Sequence, residues 1–159
     1  MRSREARNVQ RPPSSPCTFA PCAGPTDYFE EAASIRAPIS SDEVPVPAGP
    51  YSPGLTVGEW IFLSGQGGFD PNTGKVVSDN VVEQTEQTFN NIETVLEAAG
   101  ASLDDVVSCL VHLVDLADFP AFNAVYEQKF RGVKPVRTTV RADLVAGLLV
   151  EITVVARTS

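Results

Sequence analysis

Residues 80–100 read NVVEQTEQTFNNIETVLEAAG, and this stretch decides the fold class. Small and apolar side chains recur in it at spacings of three and four, which is typical of the buried face of a helix: Thr85, Thr88, Phe89, Ile92, Val95, Leu96 and Ala99. Asn80 followed by Glu83 indicates an N-terminal capping pair, and Gly100 can take the left-handed conformation that ends a helix. The stretch therefore predicts an amphipathic helix.

Strand and turn signals surround this helix. Gly58-Glu59 predicts a tight hairpin, and the run from Asp70 to Gly74 predicts a second turn. A second helix is predicted from Asp118 to Gly132. The predicted strands cover residues 55–57, 60–64, 75–77, 106–116, 136–143 and 149–156. The order β-β-β-α-β-α-β-β predicts an α+β fold with two helices on one face of a sheet.

Two helices cover only one face of such a sheet, so the other face is either solvated or covered by another molecule. This is a first indication of oligomerisation. Leu63, Val111 and Leu113 are candidates for the surface that another subunit would cover.

Composition narrows the classes of protein to consider. The chain has 159 residues, 43% apolar content and a formal net charge of -8, which disfavours nucleic acid as a partner. It has neither a membrane-length apolar stretch nor a secretory h-region, and its three cysteines suit a reducing compartment. We therefore expect a cytoplasmic protein with no membrane partner. Cys17 and Cys22 have no histidine nearby, so no metal site is expected there.

Residues 1–44 and 45–159 differ in character. The first segment is rich in Pro, Ser, Arg and Ala and shows no sustained period, so it predicts a poorly ordered tail. Its arginines are compatible with an organelle transit peptide, although the segment has almost no apolar face, and equally with an upstream start codon or with added residues. Residues 45–159 are predicted to form one domain.

Arg137 and Glu151 are the candidates for chemistry. Alternation places Arg137, Thr139 and Arg141 on one face of their strand, while Glu151 lies between apolar neighbours and needs a partner. One interpretation is a cross-strand ion pair between Arg141 and Glu151. The other is functional: Arg137 presents its planar fork to a substrate carboxylate, and Glu151 orients or deprotonates a water. Spacing alone favours the ion pair.

Other residues with reactive side chains give weaker indications of function. His112 is the single histidine and no nucleophile motif accompanies it, so a structural role is expected; Cys109 is expected to be a core or interface thiol. The glycine-rich run from Ser64 to Gly68 lacks the Lys-Ser/Thr ending of a phosphate loop. Its glycines indicate close approach of a ligand or a neighbouring chain instead.

Four ordered motifs resemble the RidA family, also called YjgF/YER057c/UK114. They are Gly49-Pro50-Tyr51-Ser52, Phe62-Leu63-Ser64-Gly65-Gln66, Pro135-Val136-Arg137-Thr138 and Val150-Glu151-Ile152. The resemblance implies a chorismate-mutase-like fold (bacillus type) assembled as a homotrimer, with clefts between subunits. It also implies hydrolysis of 2-aminoacrylate-type enamines and imines to 2-oxoacids and ammonia, without metal or organic cofactor.

Residue by residue, the resemblance implies that Arg137 grips the substrate carboxylate and Glu151 positions the attacking water. The matching substrate-binding residues are Tyr51, Ser64, Phe119, Asn123 and Thr139, the last standing where many members carry a cysteine. Gly67-Gly68 and the short loop before Pro135 depart from the pattern and leave substrate preference open. The alternatives are a trimeric ligand-sensing or chaperone-like protein without turnover and, less favoured by the acidic balance, an endoribonuclease.

Overall fold

The fold is built on a sheet of seven strands in the computed structural model, which describes residues 36–44, 47 and 49–158. The strands are β1 (Arg36–Pro38), β2 (Gly54–Val57), β3 (Trp60–Leu63), β4 (Gln66–Gly67), β5 (Val106–Leu113), β6 (Val136–Arg141) and β7 (Val150–Arg157). Their order across the sheet is β1-β2-β3-β7-β5-β6, and β4 pairs with β7 beyond the end of β3. The β5–β6 pair is parallel and the other pairs are antiparallel.

Two helices, α1 (Val81–Ala98) and α2 (Phe119–Lys129), pack together on one face of this sheet. Short 3-10 turns cover Leu103–Asp105, Leu116–Asp118 and Val145–Gly147. The α+β arrangement with both helices on one face is therefore confirmed. In the described part of the chain, neither helix has the length and apolarity that a membrane span requires.

Helix α1 confirms the helix that the spacing of residues 80–100 predicts. The Asn80 side chain accepts hydrogen bonds from the backbone N–H groups of Val82 and Glu83 at 2.8 and 3.3 Å, and Gly100 has φ = 75° just past the end. The core face also contains two amide side chains, Gln84 and Asn91. Both amides form hydrogen bonds with backbone groups of loops, which replace the hydrogen bonds to water that burial removes.

Asn91 and Gln84 fix the loops at the end of the sheet. Asn91 donates to the carbonyls of Gly67 and Phe69, both at 2.9 Å. Gln84 donates to the carbonyls of Ser78 and Gly147 and accepts from the Leu149 N–H at 2.8 Å; it therefore joins two segments that are far apart in the chain.

The prediction of a third strand at residues 75–77 is wrong. Only one isolated bridge forms there, between Phe69 and Val76. The Asp70 carboxylate accepts from two backbone N–H groups of the turn, and its own N–H donates to the Lys75 carbonyl, so the segment folds back on itself. The strand that completes this region is instead β4.

Residues 36–44 belong to the folded part, although the sequence placed them in the tail. β1 pairs with β2, and the side chains of Ile39 and Val44 are buried in the core. Residues 1–35 of the predicted tail lie outside the described residues.

The faces of the sheet correct one further expectation. Leu63, Val111 and Leu113 are 4, 0 and 0% exposed, because they point toward the helices. The apolar residues left exposed on the opposite face are their strand neighbours, among them Trp60, Phe62, Leu110 and Val140. We call this second face the open face.

Candidate active site

Arg137 lies on the helix-covered side of β6, in register with Cys109 of β5. Its guanidinium carbon stands 4.3 Å from the ring centroid of Tyr126, and 5.5 and 5.7 Å from those of Phe119 and Phe122. All three rings come from one side of α2, at spacings of three and four. The ring faces attract the cation and hold the planar fork in one orientation.

The charge of Arg137 is left available. Its Nη2 donates to Oδ1 of Asn123 at 3.0 Å. Among the described residues, no carboxylate lies within 4.0 Å of the guanidinium. An adjacent cavity of about 330 Å³ is lined by Asn123, Tyr126, Glu127, Lys134, Pro135 and Arg137. The cavity therefore offers a cation to an anionic ligand.

Two neutral groups lie under the guanidinium. Burial raises the pKa of the Cys109 thiol, against the opposing effect of the nearby Arg137 charge, and burial also raises the pKa of the Tyr126 hydroxyl. Both therefore keep their protons at neutral pH and do not neutralise Arg137. Thr139, two positions along β6 on the same side, has a buried hydroxyl without a hydrogen-bond partner among the described residues.

Glu151 lies on the open face of β7. Its strand partners are His112 of β5 on one edge and Gly67 of β4 on the other. Its carboxylate accepts no hydrogen bond from any described residue, and the side chain is 30% exposed. It rests against the backbone of Gly65, where an added Cβ would stand 2.7 Å from the carboxyl carbon. A carboxylate held in this way has free lone pairs for a water.

Tyr51 and Ser64 belong to the same end of the sheet as Glu151. The Ser64 hydroxyl donates to the Ser52 carbonyl at 2.7 Å, which fixes the Tyr51 segment to the loop that contains Gly65. The Tyr51 side chain is 53% exposed and lines a cavity of about 380 Å³ with Gly65 and Gln66.

Strand register places Arg137 and Glu151 on opposite sides of the sheet. Phe119, Asn123 and Thr139 lie with Arg137 on the side of α2, whereas Glu151 lies on the open face. Tyr51 and Ser64 lie in the loops at the Glu151 end of the sheet. Because the sheet separates them, Arg137 and Glu151 of one copy cannot contact the same small molecule.

The ion pair between Arg141 and Glu151 that spacing favoured is wrong. β5 lies between β6 and β7, so Arg141 is in register with Leu113 and points to the helix side. The ionisable neighbour of Glu151 is His112, with 3.8 Å between Nδ1 and Oε1. Sequence reasoning missed this neighbour, because pairing between β5 and β7 leaves no local signal. It also missed the aromatic set around Arg137, which the spacing of residues 119, 122 and 126 could have indicated.

Comparison with known proteins gives consistent matches over the folded part. Residues 41–158 match the family model described as Endoribonuclease L-PSP. A RutC family protein of Saccharolobus solfataricus is 47% identical, covering 76% of this chain and 97% of that protein. The 2-iminobutanoate/2-iminopropanoate deaminase of Mus musculus is 39% identical, covering 77% and 91%. The crystal structure of RidA from an Antarctic Psychrobacter superposes with a TM-score of 0.74 at 38% identity, covering 77% of this chain and 99% of that one.

Proposed function

The chain belongs to the RidA family, whose chorismate-mutase-like fold it has, and on that premise we propose that it hydrolyses reactive enamines and imines. The substrates are 2-aminoacrylate-type intermediates, and the products are 2-oxoacids and ammonia. The likeness to a mouse imine deaminase supports this reaction class. No metal or organic cofactor takes part in the proposed reaction.

The observation that carries the proposal is the guanidinium of Arg137, which has no carboxylate partner among the described residues and stands among the rings of Phe119, Phe122 and Tyr126, its aromatic surround. A 2-imino acid carries a planar carboxylate next to the C=N carbon, and a guanidinium can bind such a carboxylate with two parallel hydrogen bonds. Asn123 and Phe119 keep the fork in place. Fixing the carboxylate also fixes the position of the electrophilic carbon one bond away.

Glu151 supplies the base in this proposal. Its carboxylate takes a proton from a water whose oxygen bonds to the C=N carbon, giving a tetrahedral carbinolamine. That proton passes to the imine nitrogen, which becomes NH2. The hydroxyl proton then moves through the Glu151 carboxylate to the same nitrogen, and the oxygen lone pair forms the C=O of the 2-oxoacid as the C–N bond breaks and ammonia leaves. An enamine substrate first gains a proton on its terminal carbon and loses one from its nitrogen to become the imine. Tyr51, Ser64 and Thr139 would line the cleft around the substrate.

The site is proposed to form between copies of the chain. Arg137 and Glu151 face opposite sides of one sheet, so a complete site requires Arg137 from one copy and Glu151 from another. The open face offers Trp60, Phe62, Leu110 and Val140 as apolar contacts for that assembly. A closed ring of three copies, a homotrimer, would repeat the shared cleft three times.

A coupled assay tests the proposal. A serine or threonine dehydratase generates the unstable intermediate, and release of 2-oxoacid and ammonia is followed with and without this protein. We expect Arg137→Ala to lower the acceleration about a hundredfold, the equivalent of about 2.7 kcal/mol of lost transition-state binding. Arg141→Ala is the matched control, because this arginine lies on the same strand and the same side of it but outside the aromatic surround.

Three outcomes would count against this proposal. Tight binding of a small 2-oxoacid without any rate effect would favour a ligand-sensing or chaperone-like protein. Equal acceleration by wild type and Arg137→Ala would refute the assigned roles. Cleavage of RNA that disappears in the same variant would favour an endoribonuclease, which the net charge of -8 disfavours.

A further inference from the structure

His112 stands directly beside Glu151 on the neighbouring strand of the open face. Nδ1 of the imidazole and Oε1 of the carboxylate are 3.8 Å apart. This Nδ1 is buried and has no hydrogen-bond partner among the described residues. The histidine therefore has an unpartnered polar atom facing the residue to which the proposed function assigns the base.

The surroundings leave Glu151 as the partner for that nitrogen. A buried ring nitrogen without a hydrogen bond is costly, and in the described chain no other acid or base pairs with His112 or Glu151 within 4.0 Å. N–H···O hydrogen bonds span about 2.7 to 3.2 Å, so a small rotation of either side chain closes the gap. Gly65 lies beyond the opposite edge of β7, so the carboxylate is confined between the imidazole and the glycine backbone.

We propose that His112 is a positioning residue that acts through Glu151. A neutral imidazole protonated on Nδ1 donates to Oε1 of Glu151, which fixes the carboxylate plane and leaves Oε2 to hold the attacking water. The catalytic consequence rests on the proposed deaminase function, whereas the contact itself does not. Sequence alone favoured a structural histidine, because the pairing of β5 with β7 is not visible in it.

The effect of His112 on catalysis is tested in the coupled assay with substitutions that each replace one ring nitrogen of the imidazole. His112→Asn places an amide where Nδ1 stands, His112→Gln reaches the place of Nε2, and His112→Phe fills the volume without a donor. We expect kcat to fall about tenfold or more in H112F and H112Q, with KM unchanged because Arg137 still binds the carboxylate. H112N should recover to within about threefold of wild type.

A double substitution separates positioning from structure. In an E151Q background, H112F should cause no further loss of kcat, because the residue through which it acts is already neutralised. Equal losses in H112N, H112Q and H112F, or a multiplicative loss in the double variant, would overturn the positioning role.

A second measurement does not depend on activity. His112 is the single histidine of the chain, so its ¹⁵N resonances identify the tautomer without ambiguity. We expect the neutral imidazole to carry its proton on Nδ1 in wild type and to shift toward Nε2 in Glu151→Leu. A wild-type proton on Nε2 would overturn the proposal. If the wild type shows no deaminase activity, the proposed function fails and this tautomer result alone decides whether His112 donates to Glu151.

Discussion

Two inactive variants of this chain should restore each other, because Arg137 and Glu151 lie on opposite faces of one sheet. Arg137→Ala lacks the carboxylate anchor and Glu151→Gln lacks the base. Suppose that each site takes Arg137 from one copy and Glu151 from another. In an equal mixture that reassembles at random, half of the sites then contain an intact Arg137, and independently half contain an intact Glu151. About a quarter of the sites (one half times one half) then contain both residues.

The assay is the coupled release of 2-oxoacid and ammonia. The two variants are unfolded together in denaturant and refolded, with wild type taken through the same steps as the reference. We expect about a quarter of the wild-type rate from the mixture, and a rate about a hundredfold below wild type from the R137A variant refolded alone.

A mixture that stays at the mean of the two residual rates would refute the shared site. A second mixture gives an independent check, with wild type and the double variant R137A/E151Q in equal amounts. Sites built within one chain would keep about half of the activity, whereas sites shared between copies would keep about a quarter.

Three other perturbations follow from contacts in the structure. Gly65→Ala should lower kcat about tenfold with little change in stability, because its Cβ would stand 2.7 Å from the Glu151 carboxyl group and displace it; steady-state kinetics measure this. Gln84→Leu should lower the free energy of unfolding by about 2 to 4 kcal/mol, measured by urea denaturation, because it leaves three part-buried backbone groups, in two segments, without their partner. Burial raises the pKa of Cys109 above its ordinary 9.0 and that of Tyr126 above its ordinary 10.0. As pH rises above about 9, the unfolded chain loses these protons before the folded chain does, so the free energy of unfolding should fall. Denaturation at several alkaline pH values measures this.

Matched variants control these experiments. Gly132→Ala adds the same methyl group where nothing lies within 4 Å and the backbone is unstrained, so its kcat should equal that of wild type. A C109A/Y126F double variant should flatten the alkaline loss of stability, and an unchanged slope would show that other groups cause it.

The sequence determined the helices and strands whose pattern is local. The three-and-four spacing of residues 80–100 gave α1 with its capping residues, because a helix bonds within itself and its buried face repeats along the chain. Alternation likewise gave β6 and β7, and with them the side of each strand on which Arg137, Thr139 and Glu151 lie. The turn at Asp70 was also local, yet the strand predicted after it did not form, because among the described residues only the isolated bridge between Phe69 and Val76 pairs with it.

Only the tertiary structure decided which strands are neighbours. Insertion of β5 between β6 and β7 removed the Arg141–Glu151 pair and placed His112 beside Glu151. Strand order depends on the burial of faces that are distant in the chain, and no period within one strand encodes it. For the same reason the sequence could place Arg137 and Glu151 each on a face of its own strand, but only the assembled sheet shows that those faces look in opposite directions.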